Sequence, residues 1–417
     1  MIGIKDIDND KKQSIYEVFT KDGILQGVFL DTDKNGNQIF HTIKQPINTQ
    51  KIIWNIEFPS NILTTMIIGF IRFISCNKIN LLGRANTALM SNENNKLYAL
   101  YERDLPYEMN IDFKEKTVSD GKRKWINGIK YFSAHSKLRI DENKNNVIDS
   151  IEYNVMEKQV IHHVISHDFK KLINKNVMNS FYLPFIHDFS LLRENKNTQL
   201  VWIDSPFTFS LNNGLNFPIG LDKNKPTIIH VGNDLYTLQK SICIFHIAYV
   251  EETEKVIDIY TSIYYKINFS EDIKNISGVY CCIRLYKGSQ YAELILNEEL
   301  EKYNLDFPIV YENNIILRNI DNKTKMMNGF MIVNKLEIIK KIIFEKDMIL
   351  LGEPIVIYDE KIPYLIFFTK DKQNNYIMKI NLLNDEMDKQ EINKSFNMGF
   401  HSIWINDSTQ LKYEEQY

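Results

Sequence analysis

The feature that most limits what this chain can fold into is a succession of short β-branched and aromatic runs, each stopped by Asn, Asp, Gly or Lys. The clearest are "KIIWNIEF" (51–58), "KLYALYE" (96–102), "SICIFHIAYV" (241–250), "KVIDIYTSIYYKI" (255–267), "GVYCCIRLY" (278–286), "GFMIVNKLEIIKKIIF" (329–344) and "YLIFFTK" (364–370). Branched and ring side chains suit a pleated surface, and runs of this length match strands. Between them, "DKNGN" (33–37), "SNENNK" (91–96), "DENKNN" (141–146) and "KDKQNN" (370–375) carry turn chemistry and predict hairpins. Few segments hold a helical period. "HDFKKLINKNVMN" (167–179) and "NEELEKY" (297–303) are expected to be short helices or long loops.

No linker rich in Pro, Gly or Ser divides the 417 residues, so one all-β domain over 1–417 is expected. A sandwich of this length would be unusually large, whereas a propeller reaches it by adding four-stranded blades. The hydrophobic share of 44% is ample for a core, and a net charge of −3 argues against a nucleic-acid partner. Cys76, Cys243, Cys281 and Cys282 show no paired spacing, which fits reduced thiols in a cytosolic protein. Cys281 and Cys282 are adjacent on a strand-like run and should face opposite sides. The start, "MIGIKDIDNDKKQ", lacks the apolar stretch of a signal peptide. The longest apolar run, Ile62 to Cys76, is too short to span a bilayer and contains Arg72. A cytoplasmic protein, at most peripheral to a membrane, is the expectation.

Nine histidines are present, and a lone histidine on a strand is ordinarily a surface or hydrogen-bonded core residue. Four stand apart because each follows or enters an apolar strand-like run: His135 in "YFSAHSKLRI", His187 in "PFIHDFSLL", His246 in "ICIFHIAYV" and His401 in "MGFHSIWI". They are separated by 52, 59 and 155 residues, and the last interval is about three times the first. A blade of a seven-bladed propeller on this chain would take roughly 60 residues. Equivalent positions on inner strands converge on one axis, which is what a metal site needs. The competing cluster "HHVISH" (162–167) has the i, i+4 spacing of zinc ligands on a helix, but its neighbours favour a strand and no HExxH glutamate is present. The triplet His-Asp-Phe occurs twice, at 167–169 and 187–189. Flanks and intervals favour His187 as the ligand and leave His167 a surface residue.

Several neighbourhoods, in order, resemble the carotenoid cleavage oxygenase family, which includes apocarotenoid- and stilbene-cleaving dioxygenases and the retinal-pigment isomerohydrolase. They are "GRANTALM" (83–90), "KLYALYERDLPYEMN" (96–110), "SAHSK" (133–137), "FIHDFSLLREN" (185–195), "CIFHIAYVEE" (243–252), "LGEPIVI" (351–357) and "GFHSIWI" (399–405). The resemblance implies a seven-bladed β-propeller with a loop and short-helix cap over one face. It further implies one ferrous ion, Fe(2+), held by His135, His187, His246 and His401. Glu102 and Glu353 would stand behind these ligands. A third family glutamate falls at Asp306, whose shorter side chain predicts a water-mediated or lost contact. Thr87 resembles a threonine whose methyl group crowds an open iron position. Ser136 and Ser402 stand where the family usually has proline and glycine.

Four neutral imidazoles suit ferrous iron but bring no charge, and carboxylates on the far ring nitrogens would supply it. The implied reaction uses O2 to split a conjugated carbon–carbon double bond of a carotenoid or apocarotenoid into aldehyde or ketone products. A stilbene substrate, a retinoid isomerohydrolase and a non-catalytic binding propeller are the alternatives. An apolar polyene would be drawn from a bilayer, for which Ile62 to Cys76 offers a candidate contact patch.

Overall fold

The computed structural model describes the whole chain except residues 5–12, 33, 35–37, 54–66, 68–69, 72–74, 76–82, 93–95, 195–196, 211–217, 346 and 407–417. The described residues are overwhelmingly strand, as the short branched runs require, and they form two compact units. One comprises Met1–Lys11, Glu17–Trp125 and Phe344–Glu414; the other comprises Lys12–Tyr16, Ile126–Ile343 and Glu415–Tyr417.

In the first unit, Gly23–Thr32 pairs antiparallel with Gln38–Pro46, and most of the expected "DKNGN" hairpin (33–37) lies outside the described residues. A second meander runs Ala88–Asn92, Lys96–Leu100, Tyr107–Asp112. A third runs Ile355–Asp359, Ile362–Lys370, Asn375–Asn381, Met387–Ile392. In this last sheet the expected turn at 370–375 closes the hairpin, and Asp371 accepts the backbone N–H groups of Gln373 and Asn374. "KIIWNIEF" departs from expectation: Gln50–Ile53 is a short helix, and 54–58 lie outside the described residues. Most of Ile62 to Cys76 lies outside them as well.

In the second unit, Lys137–Ile140, Asn146–Asn154, Gln159–Ser166 and Leu172–Asn179 form a four-stranded antiparallel meander. The stretch 167–179 is therefore mostly strand rather than helix or loop. Its Asn and Lys side chains hide the alternation because it is an exposed edge, where polar residues discourage further pairing. Asn304–Tyr311, Asn314–Ile320, Met327–Asn334 and Glu337–Ile343 form another such meander. Two more four-stranded groups, Ser190–Glu194 to Asp234–Leu238 and Cys243–Glu252 to Tyr291–Ile295, merge into one eight-stranded sheet. The join is a short parallel pairing of Thr237 and Leu238 with Tyr291 and Ala292. "NEELEKY" contributes only the 3-10 turn Leu300–Lys302.

Sheets buried on both faces explain the nearly unbroken apolar runs. On Val279–Tyr286, Cys281 packs with Ile259 and Ile283, while Cys282 packs with Tyr260 and Leu317 on the other side. The neighbours do face opposite ways, and burial pushes both thiols well above their ordinary pKa. Cys243, Cys281 and Cys282 are all unbridged. Among the described residues no helix is long and apolar enough to cross a membrane.

Candidate metal centre

Three of the four singled-out histidines come together in the second unit. His246 lies on the strand Cys243–Glu252, His187 immediately precedes Ser190–Glu194, and His135 sits in a turn before Lys137–Ile140. Their ring centroids are 4.6 Å (135–187), 5.1 Å (135–246) and 5.2 Å (187–246) apart. The Nε2 atoms of His135 and His187 stand 3.0 Å apart. Within this trio His187 and His246 are buried.

The back of His246 is held firmly. Its Nδ1–H donates to Asp306 Oδ1 at 2.9 Å, and Tyr264 Oη donates to Asp306 Oδ2 at 2.5 Å. A carboxylate can only accept, so Nδ1 carries the proton and Nε2 presents its lone pair. Burial pushes the Asp306 pKa up, but His246, Tyr264 and the Phe307 amide outweigh it and hold it below the ordinary value. Burial first, and then Asp306, raise Tyr264 far above a normal phenol, so it remains a donor. The expectation of a lost or water-mediated contact at Asp306 is thus corrected. A local irregularity between Asp306 and Ile309, with Phe307 at φ +58, brings the short side chain within direct reach.

Asp188, which sequence reasoning passed over, joins the three segments. Its Oδ1 accepts Lys137 Nζ at 2.8 Å and its own neighbour's amide, Phe189 N–H, at 2.8 Å. Its Oδ2 accepts the amide of Ile247, the residue after His246, at 2.9 Å. The second letter of the repeated triplet carried that signal. The other copy does something else: Phe169 packs on Phe132, ring centroids 5.7 Å apart, and His167 is half-buried in a turn. The strand Gln159–Ser166 turns His162 and His163 to opposite faces, toward Asp149 and Glu152, so "HHVISH" is no zinc helix. Tyr264 left no signal in the sequence beyond its place in a strand.

The first unit holds the remaining site residues. His401 Nδ1–H donates to Glu353 Oε2 at 3.1 Å, the same backing that His246 receives. Ser402 Oγ donates to the Glu353 carbonyl at 2.7 Å, so the hydroxyl found in place of the usual glycine ties the two motifs together. Thr87 Oγ1 bonds Asn86 Oδ1 at 3.0 Å and Glu102 Oε2 at 3.5 Å. Asn86 Nδ2 in turn donates to the carbonyls of Phe19 and Lys21. The "ANT" segment is therefore buried, with the side chains of Asn86 and Thr87 hydrogen-bonded.

His135, His187 and His246, all in the second unit, offer ring nitrogens that could hold a metal ion. The donor chemistry fits a divalent first-row ion. At metal–nitrogen bonds of about 2.1 Å, two ligands at a right angle stand about 3.0 Å apart. The Nε2 atoms of His135 and His187 have that 3.0 Å separation. Neutral imidazoles with carboxylates on their far nitrogens are also what ferrous iron favours.

Antiparallel strand meanders together with imidazoles that could hold a metal ion point to a protein of the β-propeller class. The chain belongs to the RPE65 family (retinal pigment epithelial membrane protein), whose model matches residues 6–406, and hence to the carotenoid cleavage oxygenases. Among solved structures it is similar to a point variant of Synechocystis ACO, at 13% identity over 96% of this chain and 90% of that one, TM-score 0.71. Cobalt-substituted Synechocystis ACO gives 14% identity, 97% and 95% coverage and a TM-score of 0.71. An ACO/RPE65 chimera gives 14%, 96% and 90%, with a TM-score of 0.73. At such identities the likeness establishes the fold, a β-propeller arrangement. No curated protein matches the chain.

Proposed function

We propose that this protein is a non-haem ferrous dioxygenase that splits one conjugated double bond of a carotenoid or apocarotenoid with O2, giving two aldehyde or ketone products. The observation that carries this reading is the convergence of His135, His187 and His246, with His246 backed by Asp306. Membership of the family supports it, with His401 as the fourth ligand. Bound ferrous iron supplies the redox chemistry that activates dioxygen beside the double bond.

The chain's own residues do the rest. Asp306 and Glu353 keep each Nδ1 protonated and place negative charge behind a neutral ligand set. Phe245, 5.7 Å from the His187 ring, and Phe307, 4.5 Å from that of His246, give the imidazoles apolar neighbours. Thr87, fixed by Asn86 and Glu102, is assigned the role of narrowing approach to the metal with its methyl group. The same reading takes the eight-stranded sheet as two blades, making a single seven-bladed propeller of 1–417. It also takes the run Ile62 to Cys76 as a membrane contact; of that run, Ile67 and Phe70 are exposed.

Membership of the RPE65 family favours a second reading, a retinoid isomerohydrolase. Incubation with β-carotene, an apocarotenal, resveratrol and a retinyl ester, under O2 and under N2, separates the two. Oxygen-dependent carbonyl fragments from a polyene are expected. An isomerised alcohol formed without O2 would replace the first reading by the second, and fragments from resveratrol alone would change the substrate to a stilbene. Purified protein without near-stoichiometric iron and without products would leave a binding propeller.

A further inference from the structure

The turn that carries His135 has no strand to hold it. Residues 130–136 are irregular, and side chains on the neighbouring strand Asn146–Asn154 hold them instead. Glu152 Oε2 accepts the backbone N–H groups of Lys130 at 3.0 Å and Tyr131 at 3.3 Å. Ser150 Oγ accepts the Ser133 amide at 2.9 Å and the Ser136 hydroxyl at 2.9 Å. Ser136 Oγ also reaches the Ser133 carbonyl at 3.0 Å, and the His135 amide donates to Ser133 Oγ at 3.1 Å. Proline would restrict this backbone through its ring; here hydrogen bonds perform the restriction.

Glu152 is itself 5% exposed, so its charge must be compensated. The compensation comes from the fully buried His163, whose Nε2–H donates to Glu152 Oε2 at 3.3 Å. This gives the "HHVISH" segment a role that does not require metal. His163 orients Glu152, and Glu152 orients the backbone that enters the His135 turn.

We propose that Glu152, held by His163 and assisted by Ser150, is a positioning residue that sets the His135 ring against those of His187 and His246. The proposal rests on His135 being a ligand. Its consequence is that a buried pair outside the ligand set tunes metal affinity, as outer partners of ligands commonly do.

The test uses the full-length protein with cobalt(II) as a spectroscopic stand-in for iron. Glu152→Gln keeps the size and removes the charge, and His163→Gln is a milder second variant should the first fail to fold. Asp204→Asn serves as control, because Asp204 is a buried carboxylate bonding Ser180 and Phe181 in the same unit. The expected results are faster amide hydrogen exchange at 130–136 without metal, and cobalt affinity lowered by about tenfold with an altered visible spectrum. Asp204→Asn should lower the melting temperature and leave the spectrum and affinity alone. Wild-type exchange and wild-type affinity in a folded Glu152→Gln protein, while His135→Ala loses affinity, would overturn the positioning role. Wild-type affinity in His135→Ala would instead overturn the ligand reading, and the positioning role with it.

Discussion

Asp306 Oδ1 lies 2.9 Å from His246 Nδ1, although 60 positions separate them in the chain. Tyr264 closes the unit from a third strand, with its hydroxyl on the other carboxylate oxygen at 2.5 Å. The order phenol, carboxylate, imidazole fixes ring orientation and tautomer before any ion arrives. A glutamate is not required to make the contact, because the backbone irregularity after Asp306 moves the shorter side chain into place.

Removing the carboxylate should cost metal affinity more than fold. Asp306→Ala is expected to weaken ferrous or cobalt binding by about 10- to 100-fold, and Tyr264→Phe by less. Metal titration against a competing chelator checks both. Equal affinities in all three proteins would show that the backing of His246 is irrelevant.

Gly278 sits against this same unit. An added Cβ would lie 2.8 Å from the Leu305 carbonyl oxygen and 3.0 Å from the Tyr264 Cζ and hydroxyl. Backbone yields less readily than a side chain, so the Tyr264 ring should shift by a few tenths of an ångström and strain its bond to Asp306. Gly278→Ala should destabilise by about 1–3 kcal/mol and lower metal affinity in the direction of Tyr264→Phe. Chemical denaturation together with metal titration reads both effects.

Asp188→Asn retains the shape but loses the charge that serves Lys137 and the capacity to accept three donors. Hydrogen bonds to charged groups contribute about 1.5–3 kcal/mol, and Lys137 is partly exposed, so a loss of about 1–3 kcal/mol is expected. Urea unfolding at unchanged slope measures it. No change in midpoint would remove Asp188 as the joint between the ligand segments.

Glu152 predicts a pH effect. Burial raises its pKa, but the His163 bond and the amides of Lys130 and Tyr131 outweigh that and hold it below the ordinary carboxylate value. A depressed folded-state pKa contributes stability that is present above the unfolded value and lost as pH falls through the folded one. Wild type should therefore lose more stability than Glu152→Gln as pH drops below 4.5. Parallel acid titrations of the two proteins, followed by circular dichroism, give the comparison.

On the proposed reading, in which His401 is the fourth ligand, His401→Ala should abolish polyene cleavage. Ser402→Ala removes one hydroxyl bond to the Glu353 carbonyl and should cost about 1 kcal/mol. Cleavage rate and melting temperature separate the two roles. Full activity in His401→Ala would reject it as a ligand.

Much of this was legible in the residues, and the failures have physical causes. The hairpins at 141–146 and 370–375 follow from the side chains of Asp141 and Asp371, which accept the next few backbone amides, a purely local effect. His187 was separable from His167 because apolar flanks mark burial. The edge strand at 172–179 was missed because its neighbour Gln159–Ser166 stabilises it, not its own composition. The helix at Gln50–Ile53 runs against the branched residues that suggested a strand.

By itself the sequence determined the strand periods, the turn positions and the types of donor available, since these depend on interactions within a few residues. Which groups meet was decided only by tertiary structure. The contacts of His246 with Asp306, of Tyr264 with Asp306 and of Asp188 with Ile247 span 60, 42 and 59 positions. Hydrogen bonds act over about 3 Å, so such pairs exist only once sheet register, backbone irregularities and packing have set the distance. No local propensity encodes it.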